Sequence, residues 1–332
     1  MAGTYLNFPF DEEIFYMAWN AQADPVKTEL LRSGGVVEDA TIAGLISNGS
    51  NTFTAPFYKL IGGEPANYDG KTDIPTVETG GDTASGVVFG RSQGWAENAF
   101  VRDFNSGASP MNYIASQVAS FWDHYRQSLI LKMLSGISGV AGMESHVIDT
   151  KAPVDDTALG DAAVDALGDN ADAVSLAFMH SKVANQLANR DLLYYAKYTD
   201  EQGIERQNRR IAYVNGILVV VDDSAPHAAA SGSGAAAKPA TYTTFLLGSG
   251  FMRHAVAPVE VPVEVQRDPV KNGGMNYLYT RIRECYHPNG FSFAAPEGMG
   301  ASPTNDMLAD KANWTLKADP KLVPFVAVTT QA

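Results

Sequence analysis

SPMNYIASQVASFWDHYRQSLILKML, residues 109–134, holds the pattern on which the fold turns. Met111, Ile114, Val118, Phe121, Tyr125 and Leu129 recur at spacings of three and four, which is one apolar stripe on a 3.6-residue period. Ser109 can cap a helix and Pro110 suits its first turn. Gly136 and Gly139 supply a stop. The spacing predicts a helix of about 27 residues, roughly 40 Å long at 1.5 Å per residue. Few globular helices reach that length.

The same stretch contains Asp123 beside His124, which could be read as a catalytic pair. Adjacent helical residues point about 100° apart and do not face each other, whereas a base and its orienting acid must share a hydrogen bond. Both fall off the apolar stripe, so the pair is expected on the outer, polar side of a long rod.

Outward from this helix the chain is acidic. Its 332 residues carry a formal net charge of -13, a balance that repels nucleic acid and lacks the basic stripe of a sequence-reading protein. The hydrophobic fraction of 45% is enough for a sizeable core. A single cysteine, Cys285, allows no internal disulfide and fits a reducing compartment. The first residues, MAGTYLNFPFDEEIF, interrupt any apolar run with acids, so no signal peptide is expected. The longest aliphatic run, Ile217–Val221, is far too short to span a bilayer.

Residues 1–51 mix short apolar pieces with Gly, Ser and Asn and suggest an extended arm. Residues 52–108 are rich in turn formers, with two strand-like pieces, Ile74–Glu78 and Gly86–Arg91, around a turn at Gly80-Gly81-Asp82. Strands with so little apolar surface do not stand alone in water. A segment this long without a core is either a surface loop or, the reading favoured, a hairpin arm whose apolar partner lies on another subunit. After the long helix, Ala162–Leu167 suggests a short helix and Ala173–Met179 a buried strand. Ser181 is expected to cap a second helix, and Ile211–Val221 reads as a strand or as a hairpin about Asn215-Gly216, giving a small α/β unit. Residues 224–240 are low-complexity and rich in small residues with little to bury, and predict an exposed flexible loop. Val259–Val265 alternates as a strand that Pro262 confines to a sheet edge, and Asn276–Tyr286 reads as a second long strand ending at the Pro288-Asn289-Gly290 turn.

No reaction centre assembles from these pieces. Cys285, His287 and Asn289 suggest a thiol-protease trio, but alternate strand residues root about 6.6 Å apart and the turn takes the third out of register. The six histidines are scattered, with neither HExxH nor paired cysteines, and no GxxxxGK[ST] loop is present. Asp222-Asp223 reads as a turn. No catalytic residue, metal ligand or cofactor is expected.

The order of these elements, together with particular segments, resembles the major capsid proteins of tailed bacteriophages with the Hong Kong 97-type fold. TAPFYKL (54–60) and TVETGGDTASGVVFGRSQGWAENAF (76–100) resemble the elongated loop and its exit, residues 109–134 the spine helix, and LGDNADAVSLAFMHSKVANQL (167–187) the axial strand and helix. GILVVVDDSAP and TTFLLGSGFM resemble later axial strands, RDPVKNGGMNYLYTRIRECYHPNGFSF (267–293) the peripheral sheet, and SPTNDMLADKANW (302–314) the tail. The resemblance implies an α+β fold with an N-terminal arm (1–51), an elongated loop (52–108), and the spine helix with the first part of a peripheral domain (109–155). An axial domain (156–255) and the rest of the peripheral domain (256–332) follow. It implies copies joined as pentamers and hexamers in an icosahedral head around double-stranded DNA, bound without sequence specificity, with an encapsulin-type compartment shell as the alternative. It also implies a separate scaffolding protein, a portal, a possible decoration protein, no membrane, assembly in the host bacterial cytoplasm and residence in the virion. Assembly contacts are expected at Phe53, Phe57, Tyr58, Tyr68, Lys71, Asp73, Arg91 and Trp95, and packing of the spine at Ile114, Val118, Phe121, Tyr125 and Leu129. Lys71 lies in the loop where the namesake has a crosslinking lysine, but no partner asparagine is identifiable and no crosslink is predicted.

Overall fold

A computed structural model describes residues 3–5, 8–10, 29–47, 49–58, 62–71, 73–74, 76, 80–98, 110–155, 157–199, 205–231 and 238–331. The side chains of the first ten residues and of residues 29, 32, 57–58, 110–116 and 194–211 lie outside this description. In chain order, a short pair β1 (Gly3–Tyr5) and β2 (Phe8–Phe10) precedes α1 (Glu29–Arg32), β3 (Val36–Glu38) and α2 (Ala40–Ile46). Then come β4 (Thr52–Tyr58), β5 (Gly81–Val87), β6 (Phe89–Asn98) and α3 (Pro110–Ile137). Strand β7 (Val147–Pro153), α4 (Ala158–Leu167), β8 (Val174–Met179) and α5 (Ser181–Asn189) follow. Next are β9 (Tyr194–Thr199), β10 (Glu205–Val214), β11 (Ile217–Val221), β12 (His227–Ala228) and β13 (Thr241–Gly248). The chain closes with β14 (Met252–Val256), β15 (Val263–Asp268), β16 (Met275–Pro288), β17 (Phe291–Phe293), α6 (Asn305–Ala309), β18 (Trp314–Leu316) and β19 (Phe325–Gln331).

The larger sheet runs β7-β19-β13-β8-β11-β10-β9, with β12 beside β13. Strand residues alternate between its two faces, and the core divides accordingly. Leu176, Phe178, Val220, Phe245, Leu247 and Phe325 pack with Leu129, Ile130, Met133, Leu134 and Ile137 of α3. Ala177, Met179, Val219, Val221, Leu246 and Val326 face the other way, onto Leu159, Ala163, Val183 and Leu187 of α4 and α5. Near-continuous apolar strands such as β8 are what burial on both faces requires.

The smaller sheet is organised by β16. One edge of β16 pairs with β6 over Met275–Glu284; the other pairs with β15 and then β14, beyond which β3 lies parallel. Between β14 and β15 the chain stays tied to β16, the Ala257 amide donating to the Arg283 carbonyl at 2.9 Å and the Pro262 carbonyl accepting from the Arg281 amide at 2.8 Å. A third apolar group, containing Ile42, Ile46, Phe53, Val88, Ala255 and Cys285, ties α2 and β4 to this sheet.

The long helix starts at Pro110, as its sequence implies, with Ser109 outside the described residues. Its burial is rotated from the expected stripe. Trp122, off the stripe, is buried and donates its indole N–H to Thr280 at 3.2 Å, whereas Phe121 is 38% exposed. Gly136 lies inside the helix: a Cβ there would sit 1.9 Å from the carbonyl oxygen of Ala309. Close approach to α6, and not termination, is what requires this glycine.

Other expectations need correction. No turn forms at Gly80-Gly81-Asp82, because Gly81 begins β5, which pairs antiparallel with β4 from Tyr58↔Gly81 to Thr52↔Val87. Ile74 is exposed and outside any strand; of the proposed Ile74–Glu78 piece, residues 75, 77 and 78 lie outside the described residues. The cap of α5 is His180, whose Nδ1 accepts from the Lys182 amide at 3.1 Å, and not Ser181. The edge strand begins only after Pro262, and its valines face solvent. Loop 224–240 contains β12 and a Ser231↔Lys238 bridge, with 232–237 outside the described residues. The hairpin at Asn215-Gly216 forms as read, with φ of 49° and 83° at the two positions.

Candidate assembly site

The β4–β5 hairpin carries a loop toward solvent. Within that loop Tyr68 is 85% and Ile74 75% exposed, and Lys71 and Asp73 are exposed. Asp69 Oδ1 accepts the Lys71 amide at 2.8 Å and holds a turn next to Tyr68. Glycines and Pro65 dominate the described residues beside Tyr68 and favour turns.

The root of the hairpin is different. Phe53 is buried, and its ring meets His287 edge-on at 5.6 Å. Gly86 lies directly over Phe53, where a Cβ would come within 2.2 Å of the ring. The side chains of Phe57 and Tyr58 lie outside the described residues. Phe53, expected to reach another subunit, is therefore engaged within its own chain, where it anchors the arm.

Arg91 is also held internally. Its guanidinium donates to the Tyr125 hydroxyl at 2.7 Å, to Asn305 Oδ1 at 2.6 Å and to the Pro303 carbonyl at 2.8 Å. Tyr125 in turn donates to Asn305 Oδ1 at 2.8 Å. These bonds join β6, α3 and the chain before α6, and a charged donor makes each stronger than a neutral pair. Burial pushes the Tyr125 hydroxyl up despite Arg91. Trp95 is half-buried and packs edge-on against Phe121 at 5.3 Å. Of the expected stripe, Val118 and Tyr125 are half-buried, Leu129 is buried, and the Ile114 side chain lies outside the described residues.

Asp123 donates no chemistry to His124. It accepts from Arg126 Nη1 at 3.0 Å, and Arg126 grips Glu284 of β16 through Nη2 at 2.6 Å and Nε at 3.0–3.1 Å. Glu284 is 2% exposed. Burial opposes its ionisation, but His254 and Arg126 outweigh it and hold the carboxyl below its ordinary value. The sequence does not announce this clamp, because Glu284 stands among Arg281, Arg283 and His287 in a strand end of mixed character.

Cys285 is buried, and burial pushes its thiol up to about 12, which disfavours the thiolate. Its neighbour in the imagined trio, His287, is pushed by burial down to about 4. Among the described residues no group of three or more His, Cys, Asp and Glu converges on a metal position, and no helix is long and apolar enough to cross a membrane.

Comparison with known proteins agrees with this geometry. No protein-family model matches the chain. Over 283 residues it is 26% identical to the major capsid protein of Bacillus phage SPP1, covering 84% of this chain and 83% of that one. Among solved structures, the capsid of cyanophage Pam1 is similar at a TM-score of 0.59 with 12% identity, over 94% of both chains. An encapsulin complex from Synechococcus elongatus is similar at a TM-score of 0.50 with 8% identity, over 96% of this chain and 94% of that one. The chain has the mixed α/β fold of phage capsid proteins, and its likeness to a phage major capsid protein extends to sequence.

Proposed function

We propose that this chain is a major capsid protein, a structural component of a virion whose copies associate into the wall of a phage head. The observation that carries this reading is the sequence likeness to a phage capsid protein along 84% of the chain. The encapsulin likeness is one of fold alone. Physical features support the reading. A hairpin that leaves Tyr68 and Ile74 largely exposed gains stability by burying them on another copy. Head-to-tail contacts of that kind close into rings, here pentamers and hexamers of an icosahedral shell.

In this proposal residues 52–108 are the elongated loop, α3 is the spine, the smaller sheet is the peripheral domain and the larger sheet the axial domain. The net charge of -13 keeps the wall from gripping packaged double-stranded DNA. Shells form in the host cytoplasm with a separate scaffolding protein, a portal and, in some heads, a decoration protein. The chain catalyses no reaction.

Electron microscopy of the protein expressed with its scaffold tests the reading. Closed shells are expected, and deletion of residues 62–80 should leave the chain folded but unable to form them. A monodisperse monomer or dimer under all assembly conditions would overturn it. Shells that copurify with a cargo enzyme and no DNA would favour the encapsulin alternative.

A further inference from the structure

Three aromatic rings meet where β8 ends and α5 begins. His180 stands edge-on to Tyr242 of β13, with ring centroids 4.8 Å apart, and to His227 of β12 at 5.1 Å. His227 lies nearly parallel to Tyr242 at 5.8 Å. The cluster joins the start of α5, the strap of residues 222–228 and the larger sheet. His180 Nδ1 accepts the Lys182 amide at 3.1 Å, and Asp223 Oδ1 accepts the Ser181 amide at 3.2 Å. Two of the four amides that a helix start leaves unpaired are thus filled from this corner.

We infer that this corner is an acid-released clasp: His180 caps α5 and holds the strap only while its ring is neutral, and protonation loosens both while the rest of the chain stays folded. An imidazolium has no lone pair with which to accept an amide proton. Its new Nδ1–H would face the Lys182 amide and turn instead to Asp223 Oδ1, 3.6 Å away, where it competes with the Ser181 amide. A positive charge at a helix N-terminus also opposes the macrodipole.

The charged groups facing the ring are Lys182 on α5, Asp222 and Asp223 after β11 and His227 on β12, with the Tyr242 phenol facing it from β13. Asp222 is buried and engaged by Gln127 and Ser224. Burial disfavours the charged His180 ring, Asp223 favours it, and His227 and Lys182 disfavour it; the balance lies below the ordinary histidine value. The closed corner therefore refuses a proton that the opened one accepts near pH ~6.5, so closure is complete above that value and is lost as pH falls. His227 is exposed and sits on a strand of two residues, so repulsion between two charged rings acts on the strap. Stacking of a charged His227 on Tyr242 opposes that release. The uncapped helix has no such counterweight and responds more.

Hydrogen exchange of the full, unassembled chain tests the clasp, read by mass spectrometry and corrected for intrinsic rates. It is measured at about pH 7.5 and about pH 5, either side of the ordinary histidine value. Amides of residues 181–189 should exchange about fivefold faster in acid, the loss of one helix cap, and those of residues 225–231 somewhat faster, while β8 and β13 stay protected. His180→Asn supplies a cap acceptor that does not titrate, and its α5 should keep the slow rate at both pH values. His180→Ala should show the fast rate at both. His287 also resists protonation, but its effect falls on the whole fold and is shared by the native chain and both variants. The same acid response of α5 in the native chain and in His180→Asn would overturn the clasp. So would an α5 that opens only together with β8 and β13, or one that ignores acid in the native chain.

Discussion

Arg126 of the long helix holds Glu284 of strand β16 through Nη2 at 2.6 Å and Nε at 3.0–3.1 Å, with the carboxylate almost entirely removed from water. Removing one partner of a buried pair strands the other charge. Arg126→Ala should lower unfolding stability by about 3 kcal/mol, whereas Asp123→Ala, which removes a partly exposed i,i+3 partner, should cost under about 1 kcal/mol. Urea unfolding of the unassembled chain measures both, and equal losses would contradict the clamp.

Gly136 should tolerate no larger residue. The Cβ of Gly136→Ala meets backbone at Ala309, so helix or loop must move, at about 1–3 kcal/mol. At Gly139 the added carbon meets only the flexible Lys311 side chain, at 2.9 Å, and Gly139→Ala should stay within about 0.5 kcal/mol. Thermal melts of the two variants distinguish them.

Acid should weaken the fold through His287. Burial lowers its pKa from 6.5 to about 4, so between those values the unfolded chain binds a proton that the folded chain refuses. Stability is full above pH 6.5 and falls as pH drops toward 4, by about 3 kcal/mol in all. Urea midpoints across that range should show the slope, and His287→Gln should flatten it.

Cys285 should resist alkylation. With its thiol raised to about 12 by burial, almost no thiolate exists at neutral pH. Iodoacetamide should leave the native protein unmodified by mass and label it fully in urea. Native labelling at the unfolded rate would mean that the third apolar group opens readily.

What could be read from the chain followed local rules. The extent of α3 came from periodicity, and the Asn215-Gly216 hairpin from two residues that accept positive φ. What could not be read depended on partners distant in sequence. The strand after Gly80 was misplaced because β5 is defined by pairing with β4, and a polar strand has no period of its own to announce its start. Trp122 lies off the apolar stripe of the helix and Gln127 is polar. Both are buried because Thr280 accepts the indole N–H while the Gln127 amide bridges the Leu30 amide and Asp222. Arg91 and Phe53 were recognised as important, but their partners, Asn305 and His287, lie some two hundred positions away in the chain. Valines at 261–265 alternated as expected, and nothing local reveals that this edge faces solvent.

The burial of α3 is uneven: Leu129 to Ile137 lie in the core, while Gln117 to Phe121 are half-buried or exposed. Mechanically this is a beam built in at one end. Tilting it by ~5° about Arg126 would sweep its first turn through ~2 Å at 1.5 Å rise per residue, so a push on the less buried part is magnified into torque on the Arg126–Glu284 ion pair.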